Sequence, residues 1–155
     1  MTEQIGSQTE AQAAFEAAEM HRSFGEPIPT EFLVAGRGRS RIALRSVASN
    51  AVYKVPCDTE LEANGAHDNR VESYTYRVEW VGRDYCPQAT LYWAADQYGD
   101  HVAVLAMEYL EDDGSEPENL GEVLSALTSL GALDLNDGNW VTRNGRAVVI
   151  DCAGI

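Results

Sequence analysis

The sequence predicts an α+β fold, a five-stranded antiparallel sheet carrying one helix, followed by a much smaller portion of one helix, a polar loop and a hairpin. Three observations predict it. Short strand-like stretches bounded by turn residues recur between Phe32 and Met107. Three other stretches carry helical spacing. The order is three strands, helix, two strands, helix, polar loop, hairpin, with no internal repeat. At 155 residues and 45% apolar content, the chain fits a single globular domain with a core.

Thr9 to His21 is rich in helix-forming alanines with glutamates on the other side, and the Gly and Pro residues of Phe24 to Pro29 break it. Phe32-Leu33-Val34 starts the sheet and enters a Gly/Arg loop. Ile42 to Val47 emerges from that loop, Ala48-Ser49-Asn50 turns the chain, and Ala51 to Val55 forms a third strand that Pro56 ends. Asp58 to Asp68 is polar and reads as a loop. Asn69 to Val81 turns helical, with Val71, Tyr74, Val78 and Val81 near one face. Ala89 to Ala94 and Val102 to Met107 are strands joined by the polar turn Asp96 to Asp100. Glu111 to Glu118 is an acidic loop. Leu120 to Leu130 is an amphipathic helix with Gly131 as its C-cap, and a hairpin closes across Asn144-Gly145.

A formal charge of −14 argues against phosphate-neutralising contact with nucleic acid. The charge is uneven: five of the eleven basic residues lie between Arg37 and Lys54, and seven acids lie between Glu108 and Glu122. No run of 18 apolar residues occurs, and Met1 to Glu10 lacks the basic and apolar regions of a signal peptide, so a cytoplasmic protein with no membrane partner is expected. Cys57, Cys86 and Cys152 are odd in number and widely spaced, which suits free thiols in a reducing compartment. His21, His67 and His101 show no zinc-ligand spacing relative to them.

The chemistry concentrates near the C-terminal end. Leu133-Asp134-Leu135-Asn136-Asp137-Gly138-Asn139 is a polar loop, and Val148-Val149-Ile150-Asp151 is an apolar strand ending in a carboxylate. Two acids and an amide on such supports offer the hard oxygens that Mg²⁺ prefers beside phosphate, although turns rich in Asp and Asn also arise for conformational reasons alone. The segment D-L-N-D-G-N resembles the catalytic loop of the protein-kinase and aminoglycoside-phosphotransferase superfamily, and V-I-D-C-A resembles the strand entering its D-F-G. The resemblance implies ATP and Mg²⁺ as cofactors, Asp134 as catalytic base, and Asn139 and Asp151 as metal ligands.

The resemblance extends from Gly36 to Asp151. Ala51-Val52-Tyr53-Lys54 is similar to the strand of the phosphate-binding lysine, and Val52 shares the face of Lys54, suited to roof an adenine. Glu72, eighteen residues beyond Lys54, is expected as its orienting acid, with Glu79 competing. Gly36, Gly38 and Ser40 occupy the place of a glycine-rich phosphate loop, whose three arginines either add charge over the phosphates or solvate the turn. Met107 matches a gatekeeper, with backbone groups of Glu108 and Leu110 at the adenine edge.

The resemblance divides the chain into an N-terminal helical extension (1–30) and a minimal kinase-like domain (31–155), with N-lobe 31–107, hinge 108–111 and reduced C-lobe 112–155. The pattern departs from the family at Ala132-Leu133, Asn136 and Cys152-Ala153, and Ile155 follows Asp151 by four residues. A reduced second lobe is similar to the minimal kinases of some bacterial pathogens and phages. It would leave apolar surface on Leu120 to Leu130 and the hairpin, to be covered by the N-terminal helix or a second copy in a homodimer. Three functions follow: a protein kinase acting on a protein hydroxyl, a pseudokinase whose acidic Glu108 to Glu122 surface blocks a host protein, and a small-molecule phosphotransferase.

Overall fold

A computed structural model describes residues 4–38, 40–56, 62–131 and 137–152, the side chains of 62–64 and 137 excepted. The chain runs α1 (Gln8–Phe24), β1 (Phe32–Arg37), β2 (Arg41–Ser46), β3 (Ala51–Pro56), α2 (Glu62–Tyr74), a π-helical turn (Thr75–Glu79), β4 (Ala89–Ala95) and β5 (His101–Glu108). α3 (Leu120–Ser129), a 3₁₀ turn (Asp137–Asn139), β6 (Trp140–Arg143) and β7 (Arg146–Val149) follow. The five-stranded sheet has the order β1-β2-β3-β5-β4 with every pair antiparallel, and β6 and β7 form a separate hairpin. The expected α+β class and sheet are thereby met, and no helix of the described residues is long and apolar enough to cross a membrane.

Strand parity divides the molecule. Ile42, Leu44, Tyr53, Val55, Val104 and Ala106 point to one face of the sheet, where they pack against Ala11, Ala14, Phe15, Ala17 and Ala18 of α1. The small alanines allow the helix to lie close on the sheet. Ser7 caps its start by accepting from the Glu10 N–H at 3.1 Å, and Gly25, at φ 68°, ends it. The Glu10 carboxylate then accepts the hydroxyls of Ser46 (2.7 Å), Ser49 (2.5 Å) and Tyr53 (2.5 Å), tying the first turn of α1 to β2 and β3. The first helix thus belongs to the sheet's own core. It covers the sheet rather than α3, which corrects the expectation that it shields the smaller portion.

The opposite face carries Ala43, Val52, Lys54, Leu105 and Met107. Leu105 and Met107 enter a second core with Val123 and Leu127 of α3, Ala147 and Val149 of β7, and Tyr76, Trp80 and Tyr85. Trp80 meets Tyr85 edge-on at 5.2 Å between ring centroids.

α2 differs from expectation in extent and in facing. It is already helical at Glu62, inside the stretch that the sequence reads as loop. It lies so close to the sheet that a Cβ on Gly65 would stand 2.5 Å from the Ser40 carbonyl oxygen. Its buried face is polar, with Asn69 and Glu72 at 0% exposure and Ser73 at 3%, while Val71, Tyr74, Val78 and Val81 face outward. The π turn rephases the helix so that Thr75, Tyr76 and Trp80 reach the interior in place of Val78 and Val81.

The acidic stretch after β5 is a strap along the β6–β7 hairpin. Asp113 N–H donates to the Thr142 carbonyl (2.9 Å), the Asp112 carboxylate accepts from Thr142 N–H (3.2 Å), and that of Asp113 accepts from Asn144 N–H (2.7 Å). Buried Asn119 exchanges two hydrogen bonds with the backbone of Ala147, at 2.7 and 3.1 Å. Asn144 and Gly145, at φ 52° and 77°, make the expected tight turn.

Candidate functional site

A cleft of about 290 Å³ opens between the second face of the sheet and the segment Gly138–Asp151. Lys54 stands at its floor, placed there by the alternation of β3 and only 8% exposed. A buried ammonium needs acceptors on every side. Lys54 Nζ donates to Glu72 Oε1 at 2.9 Å, to Glu72 Oε2 at 2.8 Å and to the Ile150 carbonyl at 2.6 Å. Of the two acids weighed as its partner, Glu72 is the one that meets it, and Glu79 is exposed in the π turn.

Glu72 is a hub. Its Oε1 also accepts from Arg41 Nη1 at 2.5 Å, and its Oε2 accepts from the Tyr76 hydroxyl at 2.5 Å and from Cys152 N–H at 3.1 Å. Burial alone would raise its pKa, but the charges of Lys54 and Arg41 outweigh it and hold the carboxyl down to about 2. Burial beside this carboxylate drives the Tyr76 phenol well above its ordinary range, so it remains a donor.

Arg41 is the residue that the sequence reading missed. It was counted with two other arginines as loop charge, yet it is the first residue of β2 and is 6% exposed. Its Nη1 also reaches Asn69 Oδ1 at 3.0 Å, and its Nη2 reaches Asp151 Oδ1 at 3.1 Å. Burial disfavours the charge, but Glu72 and Asp151 more than restore it, so the guanidinium is firmly charged. Asn69 completes the frame by donating to the carbonyls of Lys54 and Ala103, each at 2.9 Å. The usable signal was parity, because Arg41, Ala43 and Lys54 fall on one face of paired strands.

Asp151 lines the cleft at 34% exposure, and Asn139, 1% exposed, is beside it, its Nδ2 donating to the Asp151 carbonyl at 3.2 Å. The Asn139 carbonyl receives the N–H groups of Ile150 (2.8 Å) and Asp151 (3.3 Å), which stitches the polar loop to the strand end. The Asp151 carboxylate is a cleft-facing hard oxygen donor of the kind that suits Mg²⁺ next to phosphate, whereas the Asn139 side chain is buried, does not line the cleft and gives its Nδ2 to the Asp151 main chain. Among the described residues, no group of three or more His, Cys, Asp or Glu side chains forms a metal cage. Asp134, the expected catalytic base, lies outside the described residues, as does the departure at Ala132-Leu133 and Asn136.

Gly36, Gly38, Val52, Met107, Glu108 and Leu110 line the cleft as the sequence suggested. Gly38 N–H closes the β1–β2 turn on the Arg41 carbonyl at 2.8 Å, and β1 shifts register between Val34 and Gly36. The Glu108 carboxylate accepts from Gln88 N–H at 2.6 Å and the Glu108 N–H donates to the Gln88 carbonyl at 3.2 Å, so both groups are committed to Gln88. Arg45 lies 3.8 Å over the Tyr109 ring, pinning β2 to the segment after β5. Ser40 is a correction. It is 6% exposed and donates its hydroxyl to Asp68 at 2.9 Å, so it anchors α2 rather than lining the cleft.

Neither described thiol lines the cleft. Cys86 and Cys152 are free, and burial, reinforced by Glu108, pushes the Cys86 thiol up to about 11. Cys57 lies outside the described residues. The sequence matches no model of a known protein family and no curated protein.

Proposed function

We propose that the chain is a minimal protein-kinase-like fold that binds ATP with Mg²⁺ in this cleft and transfers the γ-phosphoryl group to a protein hydroxyl. One observation carries the reading. A lysine oriented by both oxygens of a buried glutamate touches the carbonyl that precedes a cleft-facing aspartate, at the floor of a cavity of about 290 Å³. That volume is close to the lower end of small-ligand sites, on the order of 300 Å³.

Each residue then has a task. Val52, Ala43 and Met107 offer apolar surface to a base, and the Glu108 carbonyl and the Leu110 backbone are proposed at its edge. Lys54, kept in place by Glu72, binds phosphate oxygens in place of the Ile150 carbonyl. Gly36 and Gly38 let backbone approach them without a side chain intervening. Asp151 and Asn139 would hold the metal, which supplies charge neutralisation to the phosphoryl group in flight. Asp134 is proposed to take the acceptor's proton. Phosphoryl transfer depends mainly on position and electrostatics, which suits so small a frame.

A second reading, nucleotide binding without transfer, is favoured by the Arg41–Asp151 pair, which occupies the proposed metal ligand. In its acidic-decoy form that reading draws on the exposed strap, where Glu111, Asp112, Asp113, Glu116 and Glu118 are on the surface even though Asp112 and Asp113 also accept from the hairpin backbone. The test is ATP with Mg²⁺ in a thermal-shift assay, followed by γ-labelled ATP with a cell lysate. The kinase reading expects a rise in Tm and label on protein, both absent in Lys54→Met. A Tm rise without label leaves the second reading, and no rise at all overturns both.

A further inference from the structure

The cleft floor holds two cations and two carboxylates among its described side chains: Lys54 and Arg41 against Glu72 and Asp151. Lys54 pairs with Glu72, and among the described side chains Arg41 is the cation paired with Asp151. Arg41 is no drifting surface group. It is 6% exposed and is braced at Nη1 by Asn69 and Glu72, so Nη2 is delivered to Asp151 Oδ1 by a rigid support. β2 fixes the same geometry from the backbone, since Arg41 pairs with Pro56 and Ala43 pairs with Lys54.

We infer that Arg41 is a resident counter-ion of Asp151, one that lets the cleft hold nucleotide phosphates without a divalent cation and that such a cation must displace to reach Asp151. The inference rests on the nucleotide reading above and adds how that site is charged. Among the described side chains, the floor without Arg41 would carry one excess negative charge and disfavour a polyphosphate until metal neutralised it. With Arg41 these described charges balance, and Arg37 adds positive charge to the lining. A cation bound at Asp151 would stand beside a guanidinium only 3.1 Å from the same carboxylate, so metal and Arg41 compete.

The experiment is calorimetric titration of ATP into the full chain, in EDTA and in MgCl₂, for wild type, Arg41→Met and Asp151→Asn. Wild type is expected to bind in EDTA within about tenfold of its affinity in Mg²⁺, a difference of about 1.4 kcal/mol at most. Arg41→Met is expected to lose about tenfold or more in EDTA, keep its Mg²⁺-supported binding, and reach it at lower Mg²⁺. Asp151→Asn, which retains Arg41, is expected to bind equally in both buffers. Should Arg41→Met fail to fold, wild type and Asp151→Asn decide. Wild-type binding seen only with Mg²⁺, or an Arg41→Met profile identical to wild type, overturns the inference and leaves the nucleotide reading standing. No wild-type binding in either buffer overturns both.

Discussion

Lys54 and Glu72 meet through both carboxylate oxygens, at 2.9 and 2.8 Å, although they lie 18 residues apart on a strand and a helix. The pair is surrounded by Arg41, Asn69, Tyr76 and the Cys152 amide, so its geometry is fixed from β2, β3, α2, the π turn and the chain beyond β7. Such convergence makes the pair a structural keystone as well as a candidate site.

Truncating Glu72 strands two buried cations. Glu72→Ala is expected to lower unfolding free energy by about 3–5 kcal/mol, more than a cavity of that size alone would cost. Urea denaturation of the variant beside Lys54→Met reads the effect, and Glu72→Ala should be the worse of the two. Equal losses would deny Glu72 its central place.

Acid should attack the same point. Glu72 sits at about 2 in the folded chain against 4.5 ordinarily, so its contribution is complete above about pH 4.5 and is lost as pH falls towards 2. The shift corresponds to about 3 kcal/mol at neutral pH. Unfolding free energy measured from pH 6 to 2 should fall more steeply for wild type than for Glu72→Gln, with the two curves converging at the acid end. Parallel curves would show that other carboxylates govern acid unfolding.

Gly65 sets how closely α2 approaches the sheet. In Gly65→Ala the new methyl meets the Ser40 carbonyl at 2.5 Å and Pro56 Cβ at 3.0 Å, both on stiff backbone, so the helix must back away. An overpacking loss of about 1–3 kcal/mol is expected. Because α2 carries Glu72, ATP-induced stabilisation should fall as well. A variant of unchanged Tm and unchanged nucleotide response would contradict this placement.

The Asp113 carboxyl is held down to about 2, first by the Asn144 N–H and then by the Ser115 hydroxyl and N–H. Asp113→Ala should therefore speed hydrogen exchange at the Asn144 amide while leaving amides in β3 and β5 protected. Uniform acceleration across the chain would mean that the strap is essential to global stability. Unchanged exchange at Asn144 would mean that this contact is not maintained in solution.

The sequence made the sheet legible because its strands alternate and its turns carry Gly, Asn and Pro. Lys54 stood out as a cation in an apolar strand, and Glu72 was implied by the resemblance, which places an acid early in the following helix, with Glu79 as its competitor. α2 inverts the usual facing of a surface helix. Its interior face is Asn69, Glu72 and Ser73, while Val71 and Tyr74 are outside, so a rule that apolar residues face inward inverts the helix. The π turn then breaks the period on which such a rule depends. Arg41 was obscured by the neighbouring arginines, since composition does not separate a buried guanidinium from solvated ones. Ser40 looked like part of a flexible phosphate loop, but its partner Asp68 was assigned to a coil and so offered no reason to bury it.

The strap from Glu111 to Asn119 has a mechanical consequence. It leaves β5 at the cleft wall and is then laced along the hairpin that follows Asn139 and leads into Asp151, while Lys54 grips the Ile150 carbonyl from the opposite side. The upper and lower jaws are thereby riveted together at the back and at the floor.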